Sequence, residues 1–193
     1  MARPERPLAG PPHRTALARY LREMRASAGL TYITMAAHPN SPSPATLKRT
    51  AGGLSVPTWQ QISAYCSLCA NVIDAREAAR MLQQVSYLWK RARMEQRGTL
   101  ALRGRPPALI VDRAHLSLAL FVLYEREGAP PLRTIQRRGG GAVRLPLSTA
   151  ARIVNRQALP ADKNQLIAFL EGCRVPAQQQ GQWEKAWSKV MRS

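Results

Sequence analysis

The sequence predicts an all-α protein in which one helical unit is written twice. Three observations carry that expectation. Apolar residues recur at intervals of three and four, as in Leu17, Tyr20, Leu21 and Met24, which is the period of a helix with one buried face. Turn residues, among them Gly29, the run H-P-N-S-P-S-P at 38–44 and Gly52-Gly53, cut the chain into short pieces. Finally, S-P-A-T-L-K-R-T-A-G-G-L-S-V-P (43–57) returns as L-S-T-A-A-R-I-V-N-R-Q-A-L-P (147–160). In both, a Thr is followed three residues later by an Arg and eleven residues later by a Pro: Thr46, Arg49 and Pro57, then Thr149, Arg152 and Pro160.

Taken in order, residues 1–13 contain four prolines and little to bury, so they read as a disordered arm with Arg3 and Arg6 available to phosphate. A first helix is expected over 14–28, with Arg14, Arg19, Arg22 and Arg25 on its solvent side and Gly29 ending it. A short second helix, 31–37, is N-capped by Thr31 and closed by the proline turn. The third is expected over 44–51, and Pro57 opens a fourth that runs through Cys69 with Trp59, Ile62, Tyr65 and Leu68 inward. A long helix over 75–97 completes the first unit, 14–97. Residues 98–112 read as a linker, in which Leu109-Ile110-Val111 is a short strand or an apolar stretch packed on a neighbour. The second unit, 113–193, repeats the order. Leu116, Leu120 and Leu123 answer Leu17, Leu21 and Met24, Gly128 answers Gly29, and L-R-T-I-Q (132–136) answers Y-I-T-M-A (32–36). A basic glycine turn, R-R-G-G-G-A-V-R, replaces the proline turn. A helix from Pro160 to Cys173 and a final helix with Trp183 and Trp187 follow.

The recurring stretch has two chemically distinct sides. Leu47, Thr50 and Ala51, or Ala150, Ile153 and Val154, lie on one helical face. Thr46, Lys48 and Arg49, or Thr149, Arg152, Asn155 and Arg156, lie on the other. The shape is that of a DNA-reading helix, apolar behind and hydrogen-bonding in front. Charge agrees with it: the chain carries 29 Lys and Arg against 11 Asp and Glu, a net +18, which favours a polyanionic partner. Each half contributes +9, so no basic tail accounts for the excess. Arg outnumbers Lys 24 to 5, which in part reflects GC-rich coding.

The order helix, glycine, short helix, turn, T-x-x-R helix and Pro-led helix resembles the Xre and lambda-repressor type of helix-turn-helix domain. The segments that carry the resemblance are A-G-L-T-Y-I-T-M-A (28–36), P-A-T-L-K-R (44–49) and V-P-T-W-Q-Q-I-S-A-Y (56–65), matched more loosely by S-T-A-A-R-I-V (148–154) and L-P-A-D (159–162). The resemblance implies two tandem lambda-repressor-like helix-turn-helix domains of four to five helices each. It also implies that the N-terminal part of the second helix of each pair enters the major groove. Base contacts then fall to Thr46, Lys48 and Arg49 and to Ser148, Thr149 and Arg152, since Arg bonds a guanine edge at two points. Phosphate contacts fall to Thr31, Ser43, Arg133, Arg137 and Arg138. The implied function is sequence-specific binding of double-stranded DNA, as a bacterial transcriptional regulator reading a bipartite site. The alternative is an architectural, replication or partition factor that binds DNA and recruits another protein. In that case the long helices would serve a homodimer or a protein partner.

Other chemistries find little footing in the residues. Cys66-x-x-Cys69 lacks two further ligands at metal-binding spacing, and Gly139-Gly140-Gly141 is not followed by the Lys-Ser/Thr of a phosphate-binding loop, so no metal or cofactor is expected. No Ser/His/Asp or Cys/His set suggests catalysis. No run reaches the roughly 18 apolar residues of a membrane span, and the N-terminus has no apolar signal core, so a cytosolic, nucleoid-associated protein with free thiols and no membrane partner is expected.

Overall fold

The computed structural model describes residues 5–192. They form ten α-helices and one 3-10 turn, with no strand among the described residues, and the chain divides into two compact units, residues 1–100 and 101–193.

The first unit consists of α1 (Pro12–Ser27), α2 (Tyr32–Ala36), α3 (Pro44–Thr50), α4 (Trp59–Ala70) and α5 (Ala75–Gln96). Helix α1 starts two residues earlier than its pattern suggests, because Pro12 suits the first helical position and its free amides find a distant acceptor. The Glu95 carboxylate, at the end of α5, accepts from the backbone N–H of His13 (3.1 Å) and Arg14 (3.0 Å). The long α5 thereby packs along α1 and caps it. Helix α4 begins at Trp59, not Pro57: Thr58 is the N-cap, accepting from Gln61 N while Gln61 returns a bond to Thr58 N. Pro57 instead offers its carbonyl to the Trp89 indole N–H on α5, at 2.8 Å. Trp59 is half-buried and stacks at a tilt on Trp89, ring centres 5.3 Å apart.

Residues 5–11, expected to be disordered, lie on α1, while residues 1–4 with Arg3 fall outside the described residues. Arg22 donates to the carbonyl of Arg6 (2.9 Å), and the Glu5 carboxylate pairs with both Arg22 (2.7 Å) and Arg25 (3.2 Å). Arg22 and Arg25 are therefore structural rather than part of a free solvent face. Arg25 also stacks over the Tyr32 ring and donates to Leu30 O.

The second unit holds the 3-10 turn Pro107–Leu109 and then α6 (Arg113–Arg126), α7 (Leu132–Arg138), α8 (Leu147–Val154), α9 (Lys163–Gly172) and α10 (Ala177–Arg192). Most of the expected linker belongs to this unit: the 3-10 turn packs on α10, and Ile110 is buried in the core with Leu116, Leu120 and Val190. Of residues 109–111 only Ile110 is packed, Leu109 and Val111 being more than half exposed, and none is in a strand. Helix α9 starts at Lys163 behind an Asp162 N-cap, not at Pro160, whose carbonyl accepts from Trp187 Nε1 at 2.9 Å.

Burial follows the sequence repeat at four central pairs, though Met24 is buried where its counterpart Leu123 is only partly so. Leu21 and Leu120, Met35 and Ile135, Ile62 and Leu166, and Tyr65 and Phe169 are all fully buried, each pair at the same place in its unit. In both units a tryptophan of the last helix donates to the proline carbonyl that precedes the fourth.

Candidate nucleic-acid interface

In the first unit the back of α3 is closed by Leu47, Thr50 and Ala51, all buried, and the Thr50 hydroxyl is satisfied by Thr46 O at 3.0 Å. Both ends of α3 are held. At the start, Ser43 Oγ accepts from Thr46 N (3.3 Å) and lies 3.0 Å from Thr46 Oγ1, with Pro44 at the first helical position. At the end, Arg22 Nε of α1 donates to Ala51 O at 3.0 Å, which complements the free carbonyls of a helix C-terminus. Thr31 caps α2 in the same way, exchanging bonds with Thr34. The hydroxyls of Thr31 and Ser43, expected at phosphates, thus also start the two helices. Lys48 and Arg49 project into solvent and make no ion pair or side-chain hydrogen bond with any described residue; Thr46 is half-buried between them and the core.

In the second unit the equivalent pair is α7 and α8. Helix α7 lies close against α9 through two glycines. A Cβ on Gly139 would stand 2.3 Å from Ala168 O, and one on Gly172 would stand 2.6 Å from Ile135 Cγ2 and 2.8 Å from Ile135 O, so neither position admits a side chain without backbone movement. Gln136 Nε2 donates to Leu145 O (3.0 Å), folding the glycine turn back between the two helices. Arg133 and Arg137, four apart on α7 and opposite the buried Ile135, are exposed and unpaired among the described residues. Arg138 is different: it is half-buried, donates weakly to Gly172 O (3.4 Å), and its guanidinium pKa is lowered first by burial and then by Arg174. Arg144, in the same turn, pairs with Glu171 at 2.8 Å.

Helix α8 rests on buried Ala150 and Ile153, with Val154 half-buried. It begins after Pro146 with no side-chain cap, unlike α3. Ser148 and Arg152 are exposed and Thr149 half-buried. Asn155 is the C-cap, and Arg156 adopts φ +60°, its N–H bonded to Ile153 O while Gln157 N reaches back to Arg152 O at 2.8 Å. Gly53, at φ +73°, is the residue that the sequence repeat aligns with Arg156, three residues past the end of α3.

Sequence reasoning missed three exposed apolar side chains near these helices: Ile33 on α2 is 75% exposed, Leu54 after α3 69%, and Val143 at the tip of the glycine turn 98%. Ile33 carried a signal, because it stands where the second copy has Arg133. The three thiols are buried, and burial pushes Cys66 up to about 12 and Cys69 up to about 11. Each unit thus presents a short helix backed by core, with unpaired cations and small hydroxyl residues on its free side, a surface able to bind an anionic, hydrogen-bond-accepting partner. Comparison of the chain with protein-family models, with curated proteins and with solved structures finds no match.

Proposed function

We propose that the chain is a sequence-specific double-stranded DNA-binding protein of the lambda-repressor and Xre type. Its reading elements are two helix-turn-helix modules, α2 with α3 and α7 with α8, and its role is that of a bacterial transcriptional regulator occupying a bipartite site. The observation that carries the reading is the pairing of Arg49 with Arg152. They hold equivalent positions on two short helices that are core-backed, and both are exposed and without an ion-pair partner among the described residues. An arginine in a folded domain that is neither paired nor packed is free to bond a base edge or a phosphate, and the net charge of +18 supplies the general attraction. The loops between the paired helices, 37–43 and 139–146, are longer than the three to four residues of a short helix-turn-helix. The module is a loose-turn variant of that design.

Selection of bound duplexes from a random pool tests the reading. The wild-type chain is expected to yield a two-part motif, and Arg49→Ala and Arg152→Ala are each expected to relax one part and to weaken binding by roughly 1–3 kcal/mol. An unchanged motif in both variants would remove these residues from the interface. A second reading, a DNA-binding factor that recruits another protein, is favoured by one feature: α5, which buries Val85, Trp89, Ala92 and Met94, leaves the large apolar side chains of Leu82 and Tyr87 43% and 58% exposed.

A further inference from the structure

We propose that the two units divide the labour on a duplex, the second gripping the phosphate backbone and the first supplying more of the sequence discrimination. The proposal rests on the DNA-binding reading and goes beyond it, because that reading treats the units as equivalent. Over the stretch that contains the candidate motif, residues 28–57 hold two cations, Lys48 and Arg49, whereas residues 128–160 hold six arginines, and neither stretch holds an acidic residue. The structure separates these six by use. Arg138 and Arg144 are engaged with Gly172 O and Glu171, leaving Arg133, Arg137, Arg152 and Arg156 exposed and unpaired among the described residues. Their counterparts in the first unit are Ile33, Ala37, Arg49 and Gly53. Only one of the four positions is cationic in both units.

Arg156 is the most informative of them. It stands in the left-handed backbone region at φ +60°, where a Cβ is disfavoured and where the first unit has Gly53. An arginine there gives up backbone preference without forming an ion pair with any described residue. Its exposed guanidinium follows Arg152 by four residues, just past the Asn155 C-cap, so the C-terminal end of α8 and the turn after it carry two cations. Charges arranged in this way neutralise phosphates and release counterions whatever the sequence. The first unit offers instead a sparse face, Thr46, Lys48 and Arg49, flanked by exposed Ile33 and Leu54. Such a face has less general attraction and depends more on which base edges and thymine methyls it meets.

The test uses the full chain and a fluorescein-labelled duplex of mixed sequence, with affinity measured by anisotropy as potassium chloride rises from roughly 50 to 200 mM. Each lost phosphate contact lowers the slope of log affinity against log salt by about 0.9, so R133Q/R137Q/R156Q, which leaves the base-reading Arg152 in place, is expected to flatten it by about 2 to 3. K48Q/R49Q is expected to change the slope by less than about 1, yet to reduce the preference for a selected duplex over the mixed one by about tenfold or more. The lysine variant R133K/R137K/R156K keeps the charges and is expected to keep the slope. Equal flattening by the two glutamine variants, no flattening by the triple one, or loss of the slope in the lysine variant would overturn the division while leaving DNA binding intact. Failure of the wild-type chain to bind any duplex at the lowest salt would overturn the DNA-binding reading, and the division with it.

Discussion

The first unit is built around a helix and the second around a crossing. In the first, α5 runs along α1 and its Glu95 caps the amides of His13 and Arg14, so the long helix serves as the wall on which α1 and α4 are set. In the second, the terminal helix is shorter, and close contact is made between α7 and α9, where Gly139 and Gly172 let backbone meet backbone. The caps differ in parallel: hydroxyls of Thr31 and Ser43 start α2 and α3, whereas α7 and α8 begin on Pro131 and Pro146 without a side-chain cap. One arrangement of buried positions can thus be supported by side-chain capping or by backbone proximity, and the two supports fail under different substitutions.

The largest effect follows from that. Gly139→Ala drives a methyl toward a carbonyl that belongs to α9, and the cost is expected at about 3 kcal/mol or more. Gly53→Ala in the first unit meets only Leu8 Cδ2 at 2.9 Å and Ala18 Cβ at 3.2 Å, in a left-handed backbone, and is expected to cost about 1–2 kcal/mol. Urea unfolding followed by circular dichroism measures both. Equal costs would mean that the α7–α9 crossing yields as readily as a loop.

A smaller contrast concerns the two indoles. Replacing Trp89 by Phe leaves the Pro57 carbonyl without its buried donor and is expected to destabilise by about 2 kcal/mol. Trp187→Phe frees a bond that is only partly buried, and about 1 kcal/mol is expected. Thermal melts of the two variants would break the comparison if their order were reversed.

The last contrast is in pH dependence, which buried thiols carry in both units, Cys66 and Cys69 in the first and Cys173, also pushed up by burial, in the second. Cys66 and Cys69 have folded values of about 12 and 11 against an ordinary 9.0, so the folded chain keeps protons that the unfolded chain releases. Their contribution to stability is complete below about pH 9 and declines as pH rises toward their folded values. Cys66→Ala is expected to make the fall in unfolding midpoint between pH 9 and 11 shallower, measured in urea.

The helices were legible in the sequence wherever their causes are local. Leu17, Leu21 and Met24 declare a face by spacing alone, and Thr31 and Ser43 declare helix starts because their oxygens serve amides three residues away. Pro57 and Pro160 were misread as helix starts for the converse reason. Their carbonyls are acceptors for Trp89 and Trp187, and nothing adjacent in the chain announces a bond across 32 or 27 residues. Glu5 and Arg22 were hidden in the same way, one taken as part of a disordered arm and the other as a solvated charge, although together they bear on the end of α3. At the candidate interface, side-chain type and face were readable, but which arginines remain free was not. Arg138 and Arg144 look like Arg133 and Arg137 until α9 supplies Gly172 and Glu171 as partners.

The tryptophan-to-proline bonds also have a meaning in time. A ribosome delivers α1 to α4 before it delivers Trp89, and α6 to α9 before Trp187, so in each unit the residue that latches the fourth helix is among the last to emerge. Until then the entrance to that helix has an unsatisfied carbonyl and an open seam. Each half of the chain is therefore expected to lock late and abruptly during synthesis, the first while the second is still being made.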